Sequence, residues 1–269
     1  MGLIIAVANQ KGGVGKTATA VNLGAALALE GRRTLLIDLD SQGSATSGLG
    51  ESRRTGLSSY ELLIGQITVA DAARPTCVPG LDLVCATRDL AGAEVELVST
   101  PDRQWRLRDQ LTHARTSYDF VLIDCPPALG MLTLNALSCA EGVLVPLQCE
   151  FYALEGLGAL LETIERVRAA FNPTLQVLGI LLTMYDSRTS LSRQVAQEVR
   201  AHFPDTVLHA MVPRNVRISE SPSHGIPVVV YDPASTGSAA YRQVGRELLQ
   251  ICARRADSEQ AIGEGGAWR

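Results

Sequence analysis

The sequence contains little lysine. Of its 24 lysine and arginine residues only two are lysines, Lys11 and Lys16, and both lie in the heptapeptide KGGVGKT at positions 11–17. A lysine ammonium is a compact charge on a flexible stem, whereas a guanidinium is a bulky planar fork, so a narrow cavity lined by phosphate admits lysine more readily. The two lysines therefore predict that this loop holds phosphate groups.

Other features are absent as well. No apolar run of about 18 residues is present, which excludes a membrane-spanning helix. The first residues carry no basic segment of the kind that begins a signal peptide. The six cysteines are scattered without a C-x-x-C pair, so neither a zinc site nor a disulfide framework is expected. We expect a cytoplasmic protein with no membrane partner.

Short apolar segments alternate with helical segments along the chain, and 46% of the residues are hydrophobic. Strands that are apolar on both faces and alternate with helices are typical of an α/β protein. The sequence predicts a mostly parallel, doubly wound sheet with helices on both faces, in one domain over residues 1–255. Residues 41–55 are predicted to form a mobile loop, and residues 256–269 a disordered tail. The predicted strands are 3–8, 33–38, 81–85, 120–124, 142–147, 177–183 and 207–212, and the longer predicted helices are 18–30, 154–171, 191–202 and 235–255.

The heptapeptide lies between a predicted strand and a predicted helix, which is the setting of a phosphate-binding loop. Gln10 occupies the place of the first glycine of the standard P-loop, so the loop is a variant. Lys16 is predicted to reach the β and γ phosphates, and the hydroxyl of Thr17 to bind Mg²⁺. The candidate nucleotide-binding residues are Lys11, Gly12, Gly13, Val14, Gly15, Lys16, Thr17 and Ala18.

Acidic residues end two of the predicted strands, where a doubly wound sheet places its ligands. Asp124 closes the strand 120–124 and matches the acidic residue of a Walker B element, so it is predicted to hold Mg²⁺ directly or through water. Asp38 and Asp40 close the strand 33–38. Spacing alone does not decide which of these two serves the metal and which the chemistry.

The extra lysine in K-G-G-x-G-K-[ST] resembles the signature of the ParA/MinD family of deviant Walker A P-loop ATPases. The resemblance implies that Lys11 reaches the phosphates of a partner in an ATP-bound homodimer. It also implies that Lys11, Lys16 and Asp40 serve catalysis, with Asp40 orienting the attacking water and Asp38 nearer the metal. Position 41, commonly proline in the family, is serine here. The implied cofactors are ATP and Mg²⁺, and the implied activity is slow ATP hydrolysis.

Three further segments, at 183–186, 212–217 and 219–225, resemble the Soj branch of partition ATPases, and the match covers residues 1 to about 250. This resemblance implies that Pro213 and Asn215, with Asp186 as a further candidate, line the adenine pocket. It places Arg188 and Arg217 on a face that binds double-stranded DNA without sequence preference. The net charge is −4, but residues 188–255 hold nine arginines against five acidic residues, which leaves room for such a face. A ParB-type partner and association with the nucleoid follow from the same resemblance.

Three alternatives remain open. A MinD-like membrane-associated positioning ATPase shares the loop, but residues 261–269 lack a basic amphipathic stripe. A relative of the nitrogenase iron protein needs a glycine-flanked cysteine motif, which is absent. A DNA coat protein that binds ATP without hydrolysing it is disfavoured by Asp40 and Asp124. No helix-turn-helix precedes the first strand, so operator binding is not expected. The sequence does not separate a chromosomal from a plasmid role.

Overall fold

The computed structural model describes residues 2–52 and 56–265, with side chains as far as residue 255. Eight strands form a single sheet in this part of the chain. The strands are β1 (Leu3–Val7), β2 (Thr34–Asp38), β3 (Arg74–Pro75), β4 (Leu81–Val84), β5 (Phe120–Asp124), β6 (Gly142–Gln148), β7 (Gln176–Tyr185) and β8 (Val207–Pro213). Their order is β3-β4-β2-β5-β1-β6-β7-β8, and every neighbouring pair is parallel except β3 with β4 at one edge.

Thirteen α-helices are present in the described residues. They are α1 (Lys16–Leu29), α2 (Ser44–Gly48), α3 (Ser59–Ile64), α4 (Val69–Ala72), α5 (Leu90–Glu96), α6 (Arg106–Leu111), α7 (Ala114–Ser117), α8 (Met131–Cys139), α9 (Ala153–Ala170), α10 (Ser190–His202), α11 (Val216–Glu220), α12 (Val228–Tyr231) and α13 (Thr236–Gly265). Short 3₁₀ turns span Leu97–Ser99, Arg103–Trp105 and Ser221–His224. None of the described helices is long and apolar enough to cross a bilayer.

The central strands are buried on both faces because successive side chains point to opposite sides of a strand. In β1, Ile4 and Ala6 face a core that includes residues of α3, α6, α8, α9 and α10. Ile5 and Val7 face a second core that includes residues of α1, α12 and α13. Helices thus cover both faces of a mostly parallel sheet, and this confirms the fold class expected from the sequence.

The seven predicted strands are all present within three residues of their expected ends. The two-residue edge strand β3 was missed because it is too short to show a periodic pattern. The predicted mobile loop 41–55 contains the helix α2, whose Thr46 is bonded to the sheet, while residues 53–55 lie outside the described residues. Helix α13 continues to Gly265 rather than ending at 255, since residues 256–261 are mostly good helix formers. Residues 266–269, in the predicted tail, lie outside the described residues.

Candidate nucleotide site at the carboxyl edge of the sheet

The phosphate loop and two of the acidic candidates meet at the carboxyl ends of three adjacent strands. The register pairs Val7 at the end of β1 with Asp124 at the end of β5, and pairs Asp124 with Asp38 at the end of β2. The loop leaves β1 beside these carboxylates and runs into α1 at Lys16. Parallel strands place their ligands at this edge, so the topology brings the predicted site together.

The loop depends on glycine at two positions. Gly13 and Gly15 have φ values of 75° and 88°, a region that residues with side chains rarely adopt. The carbonyl of Val14 accepts a hydrogen bond of 2.8 Å from the hydroxyl of Thr183, which fixes the loop against β7. A Cβ built on Gly12 would meet no atom within 4 Å, so no contact in the chain requires glycine there.

Lys16 is almost fully buried, with 7% of its surface exposed. Its Nζ donates a 2.8 Å hydrogen bond to the carbonyl of Lys11. Burial lowers the pKa of Lys16, and the nearby Asp124 opposes that shift. The one hydrogen-bond acceptor of this ammonium among the described residues is a neutral carbonyl, so an anionic ligand would stabilise it further. Thr17 and Ala18 follow it on the first turn of α1, both half-buried.

Lys11 points to a different partner. Its ammonium forms an ion pair with Glu150, which follows β6 in the same chain, and both side chains are partly exposed. Its backbone N–H donates to the side-chain oxygen of Asn9 at 3.0 Å. The structure therefore holds this lysine within its own chain. An exposed ion pair of this kind contributes at most about 1 kcal/mol, so a stronger partner could displace Glu150.

Asp124 is fully buried, and neither of its carboxyl oxygens has a well-formed hydrogen bond among the described residues, although the hydroxyl of Thr17 lies close by. Burial and the neighbouring Asp38 raise the pKa of Asp124 well above its usual range, while Thr17 and Lys16 oppose the shift. Unpartnered buried carboxylate oxygens are rare in proteins. Two carboxylates and a threonine hydroxyl are oxygen donors of the kind that Mg²⁺ prefers. Asp124, Asp38 and Thr17 thus fit a magnesium site.

Asp38 is also fully buried, but both of its oxygens have partners. Thr46 donates to one of them from its backbone N–H at 2.8 Å and from its hydroxyl at 2.7 Å, and the N–H of Asp40 donates to the other at 3.2 Å. Burial raises the pKa of Asp38 to about 6. The Thr46 hydroxyl also accepts from the N–H of Ala86 at 2.9 Å. Asp38 therefore anchors both α2 and the loop that carries Asp40.

Sequence reasoning missed Thr46, because a threonine within a segment rich in serine, glycine and threonine gives no signal of its own. Asp40 itself is half-buried, and its carboxylate accepts only from the N–H of Gln42, at 2.9 Å, among the described contacts. Its position next to Asp38 brings it to the same edge of the sheet as Asp124. The structure thus separates a bonded carboxylate, Asp38, from the more open one, Asp40.

Comparisons with known proteins identify the family to which the chain belongs. The chain matches the family model described as an AAA domain over residues 2–177. It is 56% identical over 251 residues to the chromosome partitioning protein ParA of Caulobacter vibrioides. The alignment covers 91% of this chain and 93% of that protein. The chain belongs to the ParA/Soj family. The sporulation initiation inhibitor protein Soj of Bacillus subtilis is 51% identical over 249 residues, covering 92% of this chain and 98% of Soj.

A solved structure provides a second comparison for this ParA/Soj family member. It is described as cobyrinic acid a,c-diamide synthase of Mycobacterium smegmatis with bound ATP analogue and magnesium. The two folds superpose with a TM-score of 0.82 at 41% sequence identity, covering 93% of this chain and 95% of that one. The fold that carries the present site is therefore shared with a protein that holds nucleotide and magnesium.

The three adenine-pocket candidates of this ParA/Soj chain lie at the ends of β7 and β8, where Tyr185 pairs with Pro213. Asn215 caps α11 by accepting from the N–H of Arg217 at 2.8 Å, and its amide donates to Thr236 at 2.8 Å. Met184, which precedes Tyr185 near the end of β7, has a φ of 49°, and this value is uncommon for a residue with a side chain. The structure brings Asp186, Pro213 and Asn215 together, and their role stays a prediction.

The two DNA-binding candidates are exposed and paired with acidic residues. Arg188 donates two side-chain hydrogen bonds to Asp186, at 2.9 and 2.8 Å, and these lower the pKa of Asp186 to about 2. Arg217 forms ion pairs with Glu220 at 2.8 Å and with Asp232 at 3.2 Å. Both arginines lie near the carboxyl ends of β7 and β8, and both form ion pairs with acidic residues of the chain. Their role in DNA binding stays a prediction.

Proposed function

We propose that the chain is a Mg²⁺-dependent ATPase that acts as a dimerising switch in chromosome or plasmid partition. The observation that carries the proposal is the pair of buried charged groups at the phosphate loop, whose hydrogen-bonding capacity the described residues leave largely unused. Lys16 and Asp124 are both buried, have opposite charges and lack charged hydrogen-bond partners in the described residues. Burying such groups is costly, and a bound nucleotide with its metal would compensate both of them. The names of the relatives support partition as the process.

Each site residue has a role in the proposal. Lys16 and the backbone of Gly12, Gly13 and Gly15 bind the phosphates. Thr17, Asp124 and Asp38 would hold Mg²⁺, which would neutralise phosphate charge when bound. Asp38 also fixes this edge of the sheet through its hydrogen bonds with Thr46. Asp40 orients the attacking water, because it lies at the same edge and its carboxylate is the less engaged of the two at the end of β2. The intrinsic rate is slow in this account.

Lys11 couples the nucleotide to self-association. Its ion pair with Glu150 is partly exposed and weak, so a triphosphate held by a second copy of the chain can take the ammonium away from Glu150. The interaction exists only in the ATP-bound dimer, and ATP therefore shifts the equilibrium toward that dimer. The dimer doubles the arginine-containing face and binds DNA without sequence preference. A ParB-type partner accelerates hydrolysis, which separates the two copies.

The test is sedimentation velocity of the full chain with Mg²⁺ and no nucleotide, ADP or ATP, each with and without a mixed-sequence DNA duplex. We expect a monomer without ATP, a dimer with ATP, and sedimentation with DNA in the ATP sample alone. Release of phosphate in the same samples checks hydrolysis. A monomer in saturating ATP, or DNA binding that is equal in ADP and ATP, would contradict the proposal.

A further inference from the structure

Thr183, near the end of β7, contacts the phosphate loop although another strand separates the two in the sheet. The loop follows β1, and β6 lies between β1 and β7 in the strand order. The Thr183 side chain is buried, and its hydroxyl donates a 2.8 Å hydrogen bond to the carbonyl of Val14. Its own carbonyl accepts from the N–H of Cys149 at 3.2 Å, so the sheet fixes the position of Thr183. A buried hydrogen bond thus joins the loop to a strand two positions away.

This hydrogen bond sets the orientation of the peptide unit between Val14 and Gly15. In a planar trans peptide the C=O and the N–H point in opposite directions. Because the carbonyl of Val14 points to Thr183, the N–H of Gly15 points away from β7. That N–H donates to no atom in the part of the chain that the structure describes. Gly15 immediately precedes α1, and the amino end of a helix favours a bound anion.

The loop backbone does not favour this orientation by itself. Gly13 and Gly15, on either side of Val14, have positive φ values of 75° and 88°. Glycine adopts positive and negative φ about equally well, so these residues permit the loop conformation without selecting it. If the peptide between Val14 and Gly15 turned over, a carbonyl oxygen would replace the N–H on the side away from β7. A phosphate needs a donor there, and the carbonyl is only an acceptor.

We propose that Thr183 is a positioning residue for nucleotide binding, whose hydroxyl keeps the peptide between Val14 and Gly15 turned so that the Gly15 N–H faces the phosphates. Thr183 does not contact the nucleotide itself and acts through the backbone of the loop. The inference rests on the proposed function, since it specifies how the loop that binds ATP is held in its binding conformation.

The experiment measures the affinity for ADP with Mg²⁺ by titration calorimetry, and the free energy of unfolding without nucleotide by urea denaturation. The proposed dimer forms in ATP alone, so ADP separates nucleotide binding from self-association. Thr183→Val removes the hydroxyl and keeps the size of the side chain, whereas Thr183→Ser keeps the hydroxyl and removes a methyl group.

Thr34→Val is the matched control for these variants. Thr34 is fully buried, and its hydroxyl donates to the carbonyl of Arg32 at 3.0 Å. It begins β2 and therefore lies at the amino end of that strand, whereas the phosphate loop lies at the carboxyl edge of the sheet. The control thus removes a buried threonine hydroxyl far from the loop.

We expect Thr183→Val to bind ADP about tenfold more weakly, because the buried carbonyl of Val14 loses its donor and no longer holds the loop. Thr183→Ser should bind ADP nearly as tightly as the parent chain, although loss of a buried methyl group lowers its stability. Thr34→Val should lose stability and bind ADP as the parent chain does. Affinity would then follow the hydroxyl of Thr183 and not the overall stability.

Equal ADP affinity in Thr183→Val and the parent chain would overturn the inference. An equal loss of affinity in the valine and serine variants would overturn it as well, because the packing of the side chain and not its hydroxyl would then matter. A similar loss in Thr34→Val would show that affinity merely follows stability. If the parent chain itself does not bind ADP, the nucleotide-binding part of the proposed function fails, and this inference fails with it.

Discussion

Two regions at the carboxyl edge of the sheet differ in whether their charged side chains have partners of opposite charge. Beside the phosphate loop, Asp124 is fully buried and forms no well-formed hydrogen bond with the part of the chain that the structure describes, and Lys16 is buried with one carbonyl as its acceptor there. At the ends of β7 and β8, Arg188 and Arg217 are exposed and bound to carboxylates of their own chain. Burial of the charged groups in the first region lowers the stability of the folded chain, whereas the exposed ion pairs of the second region have almost no effect on it.

The difference shows where a ligand has most to contribute. A buried charge without a partner is destabilising, so a ligand that supplies the missing partner gains a large share of its binding energy there. An exposed ion pair is worth little and is easily exchanged. Nucleotide binding is therefore expected to depend strongly on a few residues of the first region, and DNA binding to depend weakly on each residue of the second.

Replacement of Lys16 should cause the largest change, a loss of affinity for ATP at the first region. Lys16→Ala removes the buried ammonium that we propose binds the phosphates. Removing one member of a buried charge pair costs about 2 to 5 kcal/mol of binding, or about 30-fold or more in affinity. Lys16→Arg should also bind poorly, because the guanidinium is too bulky for the loop. Titration calorimetry with ATP and Mg²⁺ measures both. Arg166→Ala, in an exposed pair on α9, is the control, and unchanged affinity in Lys16→Ala would rule out the phosphate site.

Replacement of Thr46 tests how much its hydrogen bonds with Asp38, the neighbour of Asp124, stabilise the folded chain. Thr46→Val removes the hydroxyl that donates to Asp38 and leaves the N–H of Ala86 without its acceptor. The free energy of unfolding should fall by about 2 kcal/mol, since a buried donor loses its partner. Thr46→Ser keeps the hydroxyl and should recover most of that loss. Urea denaturation measures it, and equal stability of the valine and serine variants would show that these hydrogen bonds contribute nothing.

Replacement of Asp124 should cause the smallest of the three free-energy changes. Unlike replacement of Thr46, it should stabilise the folded chain. Because the pKa of Asp124 is raised in the folded chain, its ionisation lowers stability as the pH rises above the usual range of an aspartate. Without Mg²⁺ and nucleotide, Asp124→Asn should raise the free energy of unfolding by about 1 kcal/mol at pH 8 and by less at pH 5. The same variant should lose Mg²⁺-dependent ATP hydrolysis.

The control for this prediction is Asp119→Asn, which removes an exposed ion pair with Arg33. It should lower the free energy of unfolding by no more than about 1 kcal/mol, and hydrolysis should persist. An Asp124→Asn protein that is less stable than the parent at pH 8 would show that this carboxylate already has a stabilising partner, and the contrast between the two regions would fail.

The sequence was sufficient for the parts of the molecule that follow from local pattern. Continuous apolar segments such as β5 predicted a parallel sheet, and the glycines at positions 13 and 15 have the positive φ values that a tight loop requires. The partners of charged side chains were not predictable. The ion pair of Lys11 with Glu150 joins residues 139 positions apart, and that of Arg217 with Asp232 depends on how α11 packs near α12. Only the folded chain shows which charges are compensated.

Replacement of Lys11 gives the most decisive measurement, because the proposed switch requires one copy of the chain to contact the nucleotide of another. The measurement compares Asp40→Ala with Lys11→Ala/Asp40→Ala by sedimentation velocity in ATP and Mg²⁺, with ATP affinity determined for both. With hydrolysis blocked, Asp40→Ala should form a stable dimer. The double variant should still bind ATP and remain a monomer. A double variant that dimerises in ATP as readily as Asp40→Ala would contradict the account.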